Sequence, residues 1–200
     1  QTCALPIWYL GETVITSIGQ GYTLVTPMQL AEAAATLANG GLMIQPRLIQ
    51  SIKNSQTGKI ETFKNKIVRE LHFKPENLAL VKEGMINVTQ PGGTAASVGA
   101  GAPYKIAAKT GTAQVVEMKE NQKYNPNRMN ERHRDHALFI AYAPAEDPTI
   151  AVAIIVENGG HGGSTAGPIA RKLMDYYLLK KVSSNKEENK EGSLESEYHD

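Results

Sequence analysis

Apolar residues recur at helical spacing in three parts of the chain, and each part predicts an amphipathic helix. The first covers residues 26–39, the second residues 75–89, and the third begins at Pro168. The alanine-rich face of the first predicts close packing against another element. Gly84 lies inside the second helix, where glycine costs about 1 kcal/mol relative to alanine, and it predicts the close approach of a neighbour.

The first predicted helix has clear signals at both ends. Thr26 can cap its N-terminus, Pro27 suits the first helical position, and Gln29 completes a capping box. Gly40-Gly41 is expected to end the helix, since glycine adopts the left-handed conformation that follows many helices.

A second pattern, of short apolar and β-branched runs bounded by turn residues, predicts strands. Residues 105–116, 137–143 and 149–156 form three such runs, and the turn between the last two is short enough for an antiparallel hairpin. We therefore expect a three-stranded antiparallel meander. Residues 42–71 predict short strands and turns. Residues 8–22 predict a strand-like run and then a tight glycine turn.

Together these elements predict an α/β fold of the α+β kind, in which helices pack against an antiparallel sheet. The chain has 200 residues and is 41% hydrophobic, which suits one globular domain. The formal net charge of +1 gives no reason to expect a nucleic-acid partner. The single cysteine excludes an internal disulfide.

The two ends differ from the rest of the chain. Residues 1–7 resemble the translation of a sequencing adaptor, so we expect the native sequence to enter near Trp8 and to continue a longer protein. Residues 182–200 are rich in Ser, Asn, Lys and Glu and predict a disordered polar tail. The domain proper is thus expected to span residues 8–181.

The predicted strand at residues 105–116 is the best candidate for chemistry. Lys109 supplies a positive charge and Thr110 a hydroxyl, while Gly111 lacks a side chain and lets a ligand come close. The backbone N–H of Thr112 can face a developing oxyanion. Lys-Thr-Gly is one of three motifs of serine β-lactamases and penicillin-binding proteins, beside S-x-x-K and S-x-N. Alone, the tripeptide is a weak signal.

The serine nucleophile that such chemistry requires is not found in the sequence. Ser183-Ser-Asn-Lys186 matches both S-x-x-K and S-x-N, but it lies in the polar tail. A working S-x-x-K begins a buried helix, where the lysine loses solvation and its pKa falls. We therefore interpret this match as fortuitous and expect the nucleophile outside this chain.

Three other groups of residues are weaker candidates for a site. Gly19-Gln-Gly21 lacks the third glycine of a dinucleotide-binding motif, so a turn is the favoured interpretation. His133-Arg-Asp-His136 could hold a metal, but no further Cys/His cluster supports that, and a loop is favoured. His161 lies between glycines, where it either lines a cleft or is exposed.

Eight segments together resemble one family, the class B penicillin-binding proteins of the penicillin-binding protein 2 group. They occur in the order Trp8-Tyr-Leu-Gly-Glu-Thr13, Ser17-Ile-Gly-Gln-Gly-Tyr22, Thr26-Pro-Met-Gln29, Ala38-Asn-Gly-Gly41, Lys105-Ile-Ala-Ala-Lys-Thr-Gly-Thr-Ala-Gln114, Arg134-Asp-His-Ala137, Ala141-Tyr-Ala-Pro144 and Val156-Glu-Asn-Gly-Gly160. The resemblance covers residues 8–181. It implies the C-terminal part of a β-lactamase/transpeptidase-like domain, with the acylated serine, its general-base lysine and the S-x-N motif upstream.

The resemblance also implies a function. The implied function is that of a serine-type peptidoglycan D,D-transpeptidase, which cross-links stem peptides and is inhibited by β-lactams. The substrate-binding residues would be Lys109, Thr110, Gly111, Thr112 and Gln114. Lys109 and Thr110 would hold the terminal carboxylate of a D-Ala-D-Ala stem peptide, and Thr112 would contribute to the oxyanion hole. The edge of the strand would accept the peptide by β-augmentation. No cofactor or metal is implied.

The implied setting is the periplasmic side of the cytoplasmic membrane, held by an upstream anchor. The implied partners are elongation-complex membrane proteins, including a lipid II glycosyltransferase. The chain alone is expected to be inactive and poorly soluble. Alternatives that the sequence leaves open are a D,D-carboxypeptidase, a β-lactamase or β-lactam sensor of the same superfamily, and a non-catalytic cell-wall interaction module.

Overall fold

A computed structural model describes residues 9–21, 24–115 and 130–195, with the backbone alone for residues 181–195. Its α-helices are α1 (Leu10–Ser17), α2 (Pro27–Ala38), α3 (Pro75–Asn87), α4 (Ala96–Gly99) and α5 (Gly162–Glu195). Its strands are β1 (Leu42–Ile44), β2 (Ser51–Lys53), β3 (Ile60–Thr62), β4 (Ile67–Glu70), β5 (Ala107–Ala113), β6 (His136–Ala143) and β7 (Ile150–Val156). A short 3₁₀ helix covers Glu131–His133.

The predicted meander is confirmed. Strands β5, β6 and β7 form an antiparallel sheet in that order, so β5 lies at one edge. Lys109 pairs with Ile140, and Thr110 pairs with Phe139. Because successive side chains alternate between the faces of a sheet, Lys109 and Gly111 lie on one face and Thr110 and Thr112 on the other.

The two faces of this sheet have different covers. Helices α4 and α5 pack on the face of Phe139, where Val98, Ala166 and Met174 complete the larger core cluster. Helices α2 and α3 cover part of the opposite face through Ala38 and Met85, which pack against the buried Tyr142. The side chains of the three strands thus form the centre of a helix–sheet–helix arrangement.

Helix α2 begins and ends as the sequence predicted. The Thr26 Oγ1 accepts from the Gln29 N–H at 3.2 Å, and the Gln29 Oε1 accepts from the Thr26 N–H at 2.8 Å, which completes the capping box. Gly40 and Gly41 have φ values of 87° and 119°, which only glycine adopts readily. The small residue Ala34 is fully buried, as close packing of the alanine face requires.

The prediction for residues 8–22 was partly wrong, because residues 10–17 are helical. The apolar residues Leu10, Val14 and Ile18 recur every four residues, which is a helical period. The β-branched residues favoured a strand, but strand propensity is a weak signal. The predicted glycine turn is confirmed by positive φ values at Gly19 and Gly21.

The bounds of α5 also differ from the prediction. It begins at Gly162 instead of Pro168, which lies within its early turns and deprives one carbonyl of its N–H partner. At the other end the backbone remains helical to Glu195, although the composition of residues 182–200 predicted disorder. Lys and Glu are good helix formers, so the polar composition is compatible with a helix. The proposed division of the chain at residues 7 and 181 stays a prediction.

Residues 42–71 form two small ribbons, as expected, and we call this stretch the ribbon segment. Strand β1 pairs with β4, and β2 pairs with β3, both antiparallel. The side chain of Leu48 is 98% exposed, so the segment buries little apolar surface.

Helix α3 is confirmed, but no described residue approaches Gly84 as predicted. A Cβ at that position would meet no atom within 4 Å.

Among the described residues, no helix is both long and apolar enough to cross a membrane.

Candidate ligand site at the edge of the central sheet

Strand β5 presents an unpaired edge, because its only partner among the described residues is β6. In an antiparallel ladder, alternate residues turn both backbone groups away from the partner strand. The carbonyls of Thr110 and Thr112 each accept a hydrogen bond from a side chain outside the ladder, so these residues face the open edge. The edge thus offers N–H and C=O groups on either side of Gly111, which a peptide strand could pair with.

Lys109 is exposed and its ammonium group bends towards this edge. The Lys109 Nζ donates to the Thr110 carbonyl at 2.7 Å. The side chains of Lys109 and Thr110 leave the strand on opposite faces, so they converge only at the edge itself. An ammonium in this place can bind a carboxylate that lies alongside the strand.

The Thr110 hydroxyl lies on the face that carries α5. Its Oγ1 is 3.4 Å from the Oγ1 of Thr94, which lies in the turn before α4. The structure therefore brings Thr94 to the candidate site, although sequence analysis did not select it. Thr94 belongs to a glycine-rich turn that gave no chemical signal.

Gly111 has a packing role that its sequence did not reveal. A Cβ there would lie 3.0 Å from the Cβ of Leu138 on the neighbouring strand. Gly162, at the start of α5, packs against the same point: its Cβ would lie 2.6 Å from the Gly111 carbonyl oxygen. The contacts at Gly162 require glycine there, and a side chain at Gly111 would press against Leu138 even without a ligand. The close approach of a ligand at Gly111 stays a prediction.

Thr112 and Gln114 lie at the far end of β5. Gln20, from the turn after α1, donates from its Nε2 to the Thr112 carbonyl at 2.8 Å. The Thr112 N–H faces the same open edge, where it can donate to an oxyanion. Gln114 follows the last residue of β5 and is exposed. The structure therefore places the five predicted residues on one continuous stretch and adds Gln20 to them.

The Arg134-Asp-His136 and Glu157-Asn-Gly-Gly160 segments meet at the same end of the sheet. Asn158 has a φ of 55°, and its backbone N–H donates to the Nδ1 of His136 at 2.9 Å. Its side chain donates to the Arg134 carbonyl at 2.9 Å. These bonds fasten the turn after β7 to the start of β6. His136 is thus a hydrogen-bond acceptor in a structural network.

Asp135 strengthens the same junction. It is buried, its backbone carbonyl accepts from the Gly160 N–H at 2.8 Å, and its carboxylate accepts from the Val115 N–H at 3.4 Å. The last contact fixes the backbone just beyond β5. Within residues 9–21, 24–115 and 130–180, no group of three or more His, Cys, Asp or Glu could hold a metal ion. His161 is exposed and precedes α5.

A second network fixes the segment before β5. The Tyr104 hydroxyl donates to Asp175 at 2.5 Å, and Arg171 makes two 2.8 Å bonds to the same carboxylate. Arg171 also donates to the carbonyls of Val98 and Ala100. Burial, followed by the Asp175 contact, raises the pKa of the Tyr104 phenol well above its ordinary value.

An exposed ion pair lies beside that segment. The Lys105 ammonium is 2.8 Å from the Glu146 carboxylate. Their hydrogen bond raises the pKa of Lys105 and lowers that of Glu146. Both side chains are in water, so the pair contributes little to stability.

The predicted match at Ser183-Ser-Asn-Lys186 lies in the stretch of α5 of which only the backbone is described. Its side chains are therefore outside the description of the site. No S-x-x-K occurs elsewhere in the sequence.

Comparison with known proteins gives a family match over most of the chain. The family model described as the penicillin binding protein transpeptidase domain matches residues 5–175. A curated relative from Haemophilus influenzae, named peptidoglycan D,D-transpeptidase MrdA, is 40% identical over 178 residues. That alignment covers 88% of this chain and 27% of the relative, so the chain spans about a quarter of the relative's length.

Solved structures show the same similarity. The structure of Pseudomonas aeruginosa PBP2 in complex with WCK 5153 has 40% sequence identity to this chain and a TM-score of 0.69. The alignment covers 86% of this chain and 35% of the PBP2 chain. A chain in the complex between PBP2 and MreC from Helicobacter pylori has 32% sequence identity to this chain and a TM-score of 0.63. The alignment covers 86% of this chain and 28% of the matched chain. Both share the arrangement of helices and antiparallel sheet.

Proposed function

The chain belongs to the penicillin-binding protein transpeptidase domain family, and from this premise we propose that it is the substrate-anchoring C-terminal part of a peptidoglycan D,D-transpeptidase. The observation that carries the proposal is the open edge of β5, where Lys109 lies beside the outward backbone groups of Thr110 and Thr112. A stem peptide ending in D-Ala-D-Ala offers the matching groups: an extended backbone and a terminal carboxylate.

Binding begins with addition of the stem peptide to β5 as a further strand. Lys109 releases the Thr110 carbonyl and turns its Nζ to the terminal carboxylate, exchanging a neutral acceptor for a charged one. The Thr110 hydroxyl supplies a second donor to the same group. Gln114 lies where the added strand continues. The peptide is thereby held with its scissile carbonyl beside Thr112.

The reaction is an acyl transfer to a serine that lies in a preceding part of the protein. The serine oxygen attacks the carbonyl of the penultimate D-Ala and loses its proton to a general base. The Thr112 N–H stabilises the negative oxygen of the tetrahedral intermediate. The terminal D-Ala leaves as a protonated amine, and the amine of a second stem peptide then attacks the ester to form the cross-link. A β-lactam acylates the serine through the same steps up to the ester: the serine oxygen attacks the lactam carbonyl, and the ring C–N bond breaks with its nitrogen protonated.

The setting follows from the same proposal. We place the site on the periplasmic side of the cytoplasmic membrane, held by a segment that precedes this chain. A lipid II glycosyltransferase of the elongation complex is the proposed partner. Support for membership of a larger assembly comes from the Helicobacter pylori relative, which is known in complex with MreC.

The test uses the chain joined to the coding sequence that precedes residue 8 in the genome. We expect fluorescent penicillin to label a serine upstream of residue 8 and to leave the 200-residue chain unlabelled. Lys109→Ala is expected to slow labelling by roughly ten- to a hundredfold, the value of a charged hydrogen bond. Lys53→Ala, at an exposed lysine of β2, is the matched control.

Three results would contradict the proposal. The first is a labelled serine within the 200-residue chain, and the second is no labelling of the longer protein. The third is labelling of Lys109→Ala at the wild-type rate. Mass spectrometry of the labelled peptide identifies the serine in each case.

A further inference from the structure

The turn after α1 presents one polar side chain to the sheet. Gly19 and Gly21 have φ values of 77° and 95°, so a glycine in the left-handed region stands on each side of Gln20. The Gln20 N–H donates to the Ile15 carbonyl at 3.1 Å, which closes the end of α1. The backbone of Gln20 is therefore fixed, while its half-buried side chain extends away from the helix.

That side chain reaches the candidate site from 92 residues away. The Gln20 Nε2 lies 2.8 Å from the Thr112 carbonyl oxygen, on the open side of β5. The Lys109 Nζ holds the Thr110 carbonyl in the same way at 2.7 Å. Both outward carbonyls beside Gly111 are thus occupied by side-chain donors. An unpaired edge would otherwise expose these acceptors to water or to an added strand.

We propose that Gln20 is a ligand-site residue whose carboxamide occupies the Thr112 carbonyl until the amide N–H of a peptide ligand replaces it. The inference rests on the proposed function and adds a residue to its site. The carboxamide N–H and a peptide N–H are the same kind of donor, so the exchange conserves the hydrogen bond. Gln20 therefore protects the edge and competes with the ligand.

The competition follows from the direction of the carbonyl. Thr112 turns its carbonyl away from β6, and an added strand must donate to it from the open side. The Gln20 nitrogen already lies at hydrogen-bonding distance on that side. A ligand strand in register thus requires the side chain of Gln20 to move.

Two substitutions separate the hydrogen bond from the bulk of the side chain. Gln20→Met keeps a side chain of similar length and removes the donor, whereas Gln20→Ala removes both. In the longer protein, we expect both variants to be acylated by fluorescent penicillin about two- to tenfold faster than wild type, as suits the net value of one hydrogen bond. Gln56→Ala, at an exposed glutamine between β2 and β3, is the control and should not change the rate.

Unchanged or slower acylation of Gln20→Met would overturn the proposed competition. If Gln20→Ala is acylated faster and Gln20→Met is not, the side chain blocks the site by its bulk. That result would overturn the proposed competition through the hydrogen bond. The rate is measured as a second-order rate constant for acylation. Active-site titration gives the concentration of folded protein, so a change in that concentration is distinguished from a change in the rate constant.

A ligand-free measurement tests the contact in the 200-residue chain. The carbonyl ¹³C resonance of Thr112 should shift in Gln20→Met and Gln20→Ala but not in Gln56→Ala. If the Thr112 carbonyl resonance has the same chemical shift in wild type and in both Gln20 variants, the proposal is overturned, whatever the acylation rates. If the longer wild-type protein is not acylated at all, the transpeptidase proposal fails and the competition with it. A responsive Thr112 resonance would then show Gln20 as a cap of the strand edge alone.

Discussion

Single glycines set how closely the chain packs around the candidate site. A Cβ at Gly162 would lie 2.1 Å from the Leu138 carbonyl oxygen, and a Cβ at Gly163 would lie 2.7 Å from that of Thr94. Real Cβ atoms do not approach backbone oxygens so closely, so the start of α5 fits against the sheet only with glycine. Gly162 and Gly163, which follow His161, are therefore packing residues.

Gly162→Ala is therefore expected to destabilise the chain, by about 1–3 kcal/mol or more, because the added methyl forces backbone to shift. Gly84→Ala is the matched control: its methyl would meet no atom within 4 Å. Since glycine is a poor helix former, Gly84→Ala should raise the free energy of unfolding by about 0.5–1 kcal/mol. Urea unfolding followed by circular dichroism measures both. Equal effects of the two substitutions would contradict the packing argument.

At the scale of elements, α5 and the segment before β5 are joined by Tyr104, Arg171 and Asp175. Arg171 and Asp175 are one helical turn apart and form a partly buried ion pair at 2.8 Å. Arg171 continues to the carbonyls at the end of α4, and Tyr104 joins the carboxylate from the other side. The network fixes where β5 begins, three residues after Tyr104.

This network predicts a dependence of stability on pH. The pKa of the Tyr104 phenol is raised above its ordinary value of 10.0 in the folded chain. The protonated Tyr104 phenol therefore stabilises the folded chain fully below pH about 10. This stabilisation is lost as the pH rises further, because the phenol ionises at a lower pH in the unfolded chain than in the folded chain. Tyr104→Phe removes this dependence of stability on pH.

We expect Tyr104→Phe to lower the free energy of unfolding at pH 7 by about 0.5–1.5 kcal/mol, the value of one hydrogen bond. The difference from wild type should shrink above pH 10 in urea unfolding experiments. Tyr176→Phe, at an exposed tyrosine of α5, controls for the loss of a phenol hydroxyl. A difference that stays constant from pH 7 to pH 11 would exclude Tyr104 as its source.

At the scale of the whole molecule, charge and exposed apolar surface coincide in the ribbon segment. Residues 1–180 contain 18 basic and 14 acidic residues, and the ribbon segment alone contains six basic and two acidic ones. It therefore carries the entire net charge of +4 of that part. It also exposes Leu48, Ile49 and Ile60 by 98%, 53% and 60%. Exposed apolar surface of this kind favours self-association.

Leu48→Ser is expected to reduce self-association of the chain while changing the free energy of unfolding by less than about 0.5 kcal/mol, as for an exposed position. Leu80→Ser, at a 67% exposed leucine of α3, is the control outside the ribbon segment. Light scattering across a concentration series gives the apparent mass. An equal effect of both substitutions would mean that the ribbon segment has no special part in association.

Elements whose signals are local could be predicted from the amino-acid sequence. The capping box of Thr26 and Gln29, the glycines after α2 and the short turn between β6 and β7 act within a few residues. Their conformations follow from hydrogen bonds and backbone sterics that need no distant partner. The ordered motifs likewise indicated the family, which the match over residues 5–175 confirmed.

Features that depend on contacts between distant residues become visible only in the folded chain. The start of α5 at Gly162 and the packing roles of Gly111 and Gly162 all involve neighbours far along the chain. The same holds for the approach of Gln20 to Thr112. A local pattern carries no information about which segment lies opposite, because the close packing that selects those residues exists only once the sheet and helices have assembled.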